Sequence, residues 1–437
     1  MGGEWQPCKL GDLAEIKHGF AFEGRYFTAA SDGVVLVTPG NFKIGGGFAA
    51  SNSKGYNGPI PGNFILAPGD LIVTMTDLSK AGDTLGYSAL VPEDGNQYLH
   101  NQRIGKVDIK AGVYIEPKYI YWVLRSPAYR AEVLASATGS TVRHTSPSRV
   151  AAFRFQLPPL PEQEAIADLL GSLDDKIEMN RHMAETLEGI ARAIFKSWFV
   201  DFDPVRAKAE GHPTGLPDDL AALFPDRFGA DGLPEGWTTE PFSRLFEISG
   251  GNTPSTEDAT FWGGPHQWAT PKDLSALQSP VLLQTARQLT DAGLQRCSSG
   301  LLPVGSLLLS SRAPIGYMAF VTQPTAINQG FAGIIKRRVS TTYAWAWSAA
   351  NMDMITGNAG GSTFPEISKS VLRQLPMLAP PRPILDAFAR IADALVGRIT
   401  ASAQEVQALA ALRDTLLPKL ISGELRIADA EQRIAAA

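Results

Sequence analysis

The sequence predicts an α+β chain in which two pseudo-repeated mixed α/β domains are separated by two long helices that pair as an antiparallel coiled coil. Three observations carry that expectation. One order of short motifs is written twice, each copy ends on a proline-rich stop, and each stop leads into a long stretch with apolar residues at heptad spacing. Self-similarity on this scale marks repeated structural units. At 437 residues the chain exceeds one ordinary domain and suits two to four cores of about 100–200 residues each.

The first copy opens on Glu4-Trp5, followed by Leu10, Leu13, Ile16 and Gly19. The second opens on Gly236-Trp237, followed by Phe242, Leu245, Ile248 and Gly251, with the Trp and the closing Gly both offset by 232 residues. Gly69-Asp70-Leu71-Ile72-Val73 matches Gly305-Ser306-Leu307-Leu308-Leu309, and Gly86-Tyr87 matches Gly316-Tyr317; these read as buried strands entering turns. An Asn-Gln pair follows in each copy (Asn101-Gln102, Asn328-Gln329), then a Gly-Ser-Thr loop (Gly139-Ser140-Thr141, Gly361-Ser362-Thr363). The stops are Leu157-Pro158-Pro159-Leu160-Pro161 and Ala379-Pro380-Pro381-Arg382-Pro383.

The first helix is expected from about Pro161, which suits a first turn, with Glu162 and Glu164 favourably placed against the helix dipole. Ile166, Leu170, Leu173, Ile177, Asn180, Ala184, Leu187, Ala191, Ile194 and Trp198 then alternate by four and three, the seam of a coiled coil. At an offset of 222 the seam recurs as Phe388, Ala392, Leu395, Ile399, Ser402, Val406, Leu409, Arg413, Leu416 and Leu420, with a polar residue in the same layer. The alternative is that each helix packs on its own domain; two matching seams favour mutual packing. Arg413 and Pro418 predict that the pairing loosens near that end. Residues 201–235, rich in Pro, Gly and Asp, read as a connector with short ordered turns, and the chain past Leu425 as a frayed tail. The expected boundaries are therefore 1–157 for the first domain, 158–200 for the first helix, 201–235 for the connector, 236–378 for the second domain, 379–425 for the second helix and 426–437 for the tail.

Composition narrows the function. With 44% hydrophobic and 19% charged residues, 42 Gly and 31 Pro, the profile is that of a soluble, loop-rich globular protein. No stretch approaches the roughly 20 apolar residues of a membrane span, and the start lacks the basic and apolar regions of a signal peptide, so a cytoplasmic protein is expected. Cys8 and Cys297, far apart and outside any CxxC, are expected to be buried small hydrophobes. A net charge of −5 argues against a small free-standing DNA-binding module but leaves room for local basic patches in a large protein that works inside a complex.

Catalytic motifs are missing. The Pro-Pro pairs at 158 and 380 follow Leu157 and Ala379, not the Asn or Asp that an amino-methyltransferase loop needs. Lys196-Ser197 and Lys369-Ser370 lack the upstream glycine of a phosphate loop. Asp94 with Asp108-Ile109-Lys110 has the form of a nuclease motif, but the pattern is short and fits an ordinary strand edge. His18, His100, His144, His182, His212 and His266 show no ligand spacing, so no metal site is expected, and Gly45-Gly46-Gly47 precedes no helix as a dinucleotide fingerprint would.

Four segments resemble the specificity subunits of type I restriction-modification enzymes. They are the Leu157–Gln163 run; Ile194-Phe195-Lys196-Ser197-Trp198-Phe199-Val200-Asp201-Phe202-Asp203-Pro204-Val205-Arg206-Ala207-Lys208; Pro234-Glu235-Gly236-Trp237; and Leu412-Arg413-Asp414-Thr415-Leu416-Leu417-Pro418-Lys419-Leu420-Ile421-Ser422-Gly423-Glu424-Leu425. The resemblance implies a non-catalytic DNA-binding subunit with two target-recognition domains, each reading half of a split site in double-stranded DNA. It also implies helices that act as spacer and as docking surface for two methyltransferase subunits, with restriction/translocase subunits joining through the complex. Adenine N6 methylation with S-adenosylmethionine, and ATP- and Mg-dependent translocation and cleavage, would belong to those partners; no cofactor is expected in this chain. Arg382-Pro383 departs from the Glu-Gln of the first hinge, and no role is carried onto those two positions.

A helix over about residues 161–198 would be roughly 57 Å long at 1.5 Å per residue, more than one turn of DNA at about 34–36 Å. Base edges are read by Arg, Asn, Gln, Ser and Thr, and phosphates by Lys, Arg and backbone N–H groups. On that chemistry the DNA-contact candidates are Asn101, Gln102, Arg103, Ser140, Thr141, Arg143 and His144 in the first domain. In the second they are Ser311, Arg312, Asn328, Gln329, Ser362, Thr363 and Lys369. For the positions shared by both copies the alternative is loop stabilisation, because domains reading different sequences need not share a base contact. The helix-pairing candidates are Ile166, Leu170, Leu173, Ile177, Leu187, Ile194, Leu395, Ile399, Val406, Leu409 and Leu416. Two rivals stay open at this point: a fused methyltransferase or nuclease of a related restriction system, and a coiled-coil scaffold with carbohydrate- or protein-binding heads.

Overall fold

A computed structural model describes residues 4–29, 33–50, 53–312, 314–361 and 365–430. The chain forms two compact units, Met1–Asp175 with Leu409–Ala437, and Lys176–Ala408.

Unit one begins with strand Gln6–Lys9, paired antiparallel with Arg154–Leu157 so that the start and end of the domain are fastened together. The short helix Leu10–Leu13 turns the chain into an antiparallel sheet of order Ala14–His18, Ile104–Ile109, Leu71–Thr74, Ser88–Leu90. Leu71–Thr74 is buried along its whole length, which is why it reads as an unbroken apolar run and not as an alternation. A second sheet of five strands has the order Phe27–Ala29, Lys54–Tyr56, Val34–Val37, Gln97–His100, Ile65–Leu66. Helices Pro117–Val123, Pro127–Ser136 and Pro147–Ala152 each start with proline in the first turn behind a capping side chain, Glu116, Ser126 or Ser146.

Unit two repeats the plan. Thr238–Pro241 pairs antiparallel with Pro376–Ala379, and Phe242–Leu245 turns the chain into a sheet of order Phe246–Gly250, Phe331–Lys336, Leu307–Ser310, Met318–Val321, Val281–Leu282. A smaller sheet joins Arg287–Leu289, Trp262–Ala269 and Thr325–Ile327. Helix Thr341–Ala350 is buried from Thr341 through Ser348, so its faces show no amphipathic stripe.

The long helices span Leu160–Phe199 and Arg382–Ser422. Within unit one, Ile166, Leu170 and Leu173 share a buried cluster with Leu416, Leu417, Leu420 and Ile421. Within unit two, Ala191, Phe195 and Trp198 share one with Phe388, Ala392 and Val396, and Ala184 packs with Ile399. The early part of one helix meets the late part of the other, so the pair is antiparallel. Ile177 is buried, Leu187, Ile194 and Leu395 pack half-buried on these clusters, Val406 is half-buried, and Leu409 packs half-buried in unit one. Asn180 and Ser402, the polar layer, are both buried, beside a Lys176–Glu405 ion pair at 2.6 Å.

Four expectations change. The pairing does not loosen at Arg413 and Pro418: Arg413 is half-buried and ion-paired to Asp174 at 2.5 Å, and the helix continues through Pro418. Burial of Leu416, Leu417, Leu420 and Ile421 offsets the roughly 3 kcal/mol that an internal proline costs a helix. The connector is more ordered than a run of turns, with helices Asp203–Ala209 and Asp218–Ala221, because Val205 and Phe224 are drawn into the unit-two core. The tail is anchored up to Ala430, which is fully buried, and Arg426 reaches Glu162 at 2.7 Å. Cys8 is half-exposed while Cys297 is buried, since Cys8 sits on the Gln6–Lys9 strand, of which no residue is fully buried. Among the described residues no helix is long and apolar enough to cross a membrane.

Candidate nucleic-acid interface

In unit one three segments far apart in sequence meet around Met75. The Met75 N–H donates to Arg103 O at 2.9 Å, and Met75 O accepts from the Thr145 N–H at 3.0 Å. Next to it, Arg143–His144 pairs antiparallel with Thr76–Asp77. The Asn101–Arg103 turn and the segment that follows the Gly-Ser-Thr loop are thereby held on either side of one strand.

Unit two builds the same junction. The Ser311 N–H donates to Gly330 O at 2.8 Å, Ser311 O accepts from the Ile367 N–H at 3.0 Å, and Arg312 bridges Glu366. Thr138 bridges His144 in the first unit as Gly360 bridges Glu366 in the second. The agreement extends to the glycines at the strand ends. A Cβ on Gly19 would lie 2.2 Å from Asn101 O, and one on Gly251 would lie 1.7 Å from Ile327 O, so neither strand could approach the turn with a side chain there.

The predicted residues divide sharply in this frame. Asn101 is buried, with Oδ1 accepting from the Arg103 N–H at 3.1 Å, and Asn328 Oδ1 accepts from the Gly330 N–H at 2.9 Å. Both side chains close their own turns, as Asx residues do. Gln102, Arg103, Ser140 and Thr141 are exposed. His144 is exposed, its Nδ1 3.1 Å from Thr76 Oγ1. Arg143 is half-buried and spends its Nε–H on Lys80 O at 2.9 Å. In unit two Gln329 is exposed and accepts from Thr253 Oγ1 at 2.8 Å, while Ser311 is fully buried. Arg312 is half-buried, 3.7 Å from Glu366 Oε2. Lys369 Nζ lies 3.4 Å from Gln329 O, and burial, helped by Arg312 and Arg373, pushes its ammonium below the usual lysine range against the pull of Glu366. Ser362 and Thr363 lie outside the described residues.

Sequence reasoning missed the loop that Arg143 supports. Asp77, buried, accepts from the Ser79 N–H at 2.6 Å and from the N–H and hydroxyl of Thr84; the hydroxyl contact is 2.7 Å. These bonds outweigh burial and hold its carboxyl below the usual range. Residues 78–84 thus form a braced loop that presents Lys80 and an exposed Leu78 beside Arg143. The signal was present: the matched glycines shift from Gly69/Gly305 to Gly86/Gly316 by six extra residues in the first copy. A second missed repeat is Thr38-Pro39-Gly40-Asn41 against Thr270-Pro271-Lys272-Asp273, again offset by 232, each closing a capping box.

Exposed amide, guanidinium, hydroxyl and imidazole groups at these junctions are the donor and acceptor set that reads base edges and phosphates. His100 is no part of it, being buried with Nε2 2.9 Å from Ile104 O, and burial lowers its basicity. Asp108, the would-be nuclease carboxylate, is paired to Lys17 at 2.7 Å and to Lys106 at 3.6 Å on the sheet. Among the described residues no group of three or more His, Cys, Asp or Glu is placed to hold a metal ion.

Residues 2–189 and 234–409 match the type I restriction modification DNA specificity domain. The specificity subunit of the type I restriction enzyme HindI of Haemophilus influenzae is 25% identical, over 97% of this chain and 100% of its own. That of MjaIX from Methanocaldococcus jannaschii is 36% identical over 33% of this chain and 34% of its own. The fold is shared with the crystal structure of a type I restriction-modification S subunit from M. genitalium, at a TM-score of 0.59, 13% identity and 96% coverage of both chains.

Proposed function

This chain belongs to the family of type I restriction-modification specificity subunits, non-catalytic proteins that recognise DNA sequence, and on that premise we propose that it reads a bipartite target in double-stranded DNA. Residues 1–157 and 236–378 each read one half-site. The paired helices, 158–200 and 379–425, separate the two readers and dock two methyltransferase subunits, and restriction/translocase subunits join through that assembly. Methyl transfer from S-adenosylmethionine to adenine N6, and ATP- and Mg-dependent cleavage, take place on those partners, in the cytoplasm. Gln102, Arg103, Ser140, Thr141 and His144, with Gln329, Arg312 and Lys369, are the side chains proposed to face DNA; Asn101, Asn328 and Ser311 hold the frame behind them.

The single observation that supports this reading is the junction built twice from the same backbone bonds and furnished with different side chains: one frame, two readers. The test is exchange. Replacing residues 1–155 with the same region of a relative, and mapping methylated adenines in cells that carry the partner subunits, is expected to change one half-site and leave the other intact. Both half-sites changing, or loss of all binding in a folded hybrid, would defeat the two-reader assignment.

A further inference from the structure

Arg125 follows the helix Pro117–Val123, and its side chain is only 3% exposed. Its Nε–H donates to Gly45 O at 2.7 Å, its Nη1 donates to Tyr121 Oη at 2.5 Å and to Asp174 Oδ2 at 2.6 Å, and its guanidinium lies 4.2 Å from the Trp122 ring centroid. The other carboxylate oxygen of Asp174, Oδ1, accepts from Arg413 Nη1 at 2.5 Å. One carboxylate on the first long helix therefore joins an arginine of the domain to an arginine of the second long helix.

The far end of this chain of bonds is the triglycine that matched no phosphate-binding pattern. Gly45, Gly46 and Gly47 all have φ near +90°, and a Cβ on Gly46 would lie 2.7 Å from the Arg125 side chain. Gly47 in turn donates its N–H to Ser88 O at 2.8 Å. The glycines let the turn close over Arg125, so the turn, the domain core and both helices are linked through one guanidinium.

A charge cluster of this kind, with Arg125 buried and Asp174 and Arg413 half-buried, is a weak source of net stability, because desolvation opposes the ion-pair attraction, but it is strict about geometry. Each oxygen of Asp174 takes one N–H from a planar guanidinium that is also tied to Gly45 and Tyr121 or to Asp414, which narrows the arrangements open to the cluster. Apolar side chains can slide past one another; this cluster cannot be displaced without leaving a charge uncompensated. A rotation of about 10° at such a joint moves an atom some 20 Å away by roughly one base step of about 3.4 Å.

We propose that Asp174 is a positioning residue that, by holding Arg125 and Arg413 together, fixes the first recognition domain on the helix pair and so sets the gap between half-sites that the complex accepts. This rests on the bipartite reading given above. It adds a determinant that touches no DNA.

The test uses the complex assembled with its methyltransferase partners and duplexes carrying the mapped target with the gap shortened by one base pair, natural, or lengthened by one. The wild-type complex is expected to prefer the natural gap strongly. In Asp174→Asn that preference falls about tenfold, within the usual range of coupling between sites, while the base preference inside each half-site is unchanged. Arg413→Gln moves the same way by a smaller factor, and Arg413→Lys, which keeps the charge but not the planar guanidinium, recovers only part of the preference. Wild-type gap preference in both Asp174→Asn and Arg413→Gln overturns the proposal. If Asp174→Asn fails to assemble, Arg413→Gln, which leaves the Arg125–Asp174 pair in place, decides alone. A wild-type complex indifferent to the gap would instead defeat the bipartite reading, and this proposal with it.

Discussion

The two units fasten their domains to the same pair of helices by opposite means. In unit one the helix segment presents a carboxylate, Asp174, to two arginines. In unit two the matching position, 222 residues on, is the buried Val396, and the helices are held instead by rings elsewhere along their seam. Phe388 packs against Phe195, Phe199 and Tyr343 with centroids 5.3–5.9 Å apart, and the polar supplement is a carboxylate met by hydroxyls, not by arginines, Ser340 and Thr342 donating to Asp393 Oδ1 at 2.7 Å each. Aromatic burial supplies a large apolar contribution to stability, whereas a charge cluster supplies little net stability and one geometry. The frame of each domain is common to both units; the attachment is not.

The comparison is broken most forcefully at Phe388, which is 1% exposed. Phe388→Ala is expected to cost about 3–5 kcal/mol, as aromatic truncation in a packed core does. Amide hydrogen exchange resolved along the chain should show the loss concentrated in residues 176–408. Equal loss in both units would mean that the aromatic cluster does not belong to one joint.

Acid should act on the other unit. Burial by itself raises the Asp174 carboxyl, but Arg125 and Arg413 overcome it and hold the group below the usual carboxylate range; Asp77 and Asp108 are also lowered. A depressed folded-state value stabilises above the ordinary carboxylate range and loses that contribution as pH falls through the folded value. In unit two the lowered carboxyls, Asp258 and Glu405, are on the surface, where solvent screens their contribution, and burial shifts Glu188 the opposite way. Unit one is therefore expected to lose exchange protection first as pH drops below about 4. Unit two opening first at that pH would reverse the assignment of charge to one joint and rings to the other.

Much of this was written in the sequence, and the parts that were not share a cause. The offsets of 232 and 222 residues locate the paired first and last strands of each domain, because those residues meet local needs for alternation, caps and turns. The heptad seam likewise records which helix face is apolar. Arg413 sits in that seam as an apparent defect, since the carboxylate that explains it lies 239 residues away, at Asp174. Pro418 and the connector were misread for the same reason: burial of Leu420, Val205 and Phe224 depends on partners that no local window contains. Among the candidate contacts, Asn101 and Gln102 are adjacent and chemically similar, yet one closes a turn and the other is exposed. Composition alone cannot separate them.

A smaller effect tests the readers. Arg103→Ala is expected to weaken DNA binding by the assembled complex by about 1–3 kcal/mol, and Lys369→Ala by a similar or lesser amount. Each should relax discrimination in one half-site only. Methylation rates on duplexes substituted in one half-site at a time give the answer, and an Arg103→Ala effect spread over both half-sites would contradict one reader per unit.

The smallest effects should come from the two turn-closing asparagines, and their inequality is informative. Asn101→Ala removes the acceptor for the Arg103 N–H, and Asn328→Ala removes that for the Gly330 N–H. Arg103 is exposed, so water can take the freed N–H, and the cost should be about 0.5–1 kcal/mol. Gly330 is buried, so its N–H would be left without a partner, and about 1–2 kcal/mol is expected. If both asparagines serve the frame, denaturant unfolding will report those losses while base preference at each half-site stays as in the wild type. A changed base preference in Asn101→Ala, with stability intact, would move that residue from the frame to the reading surface. The common junction would then carry specificity as well as shape.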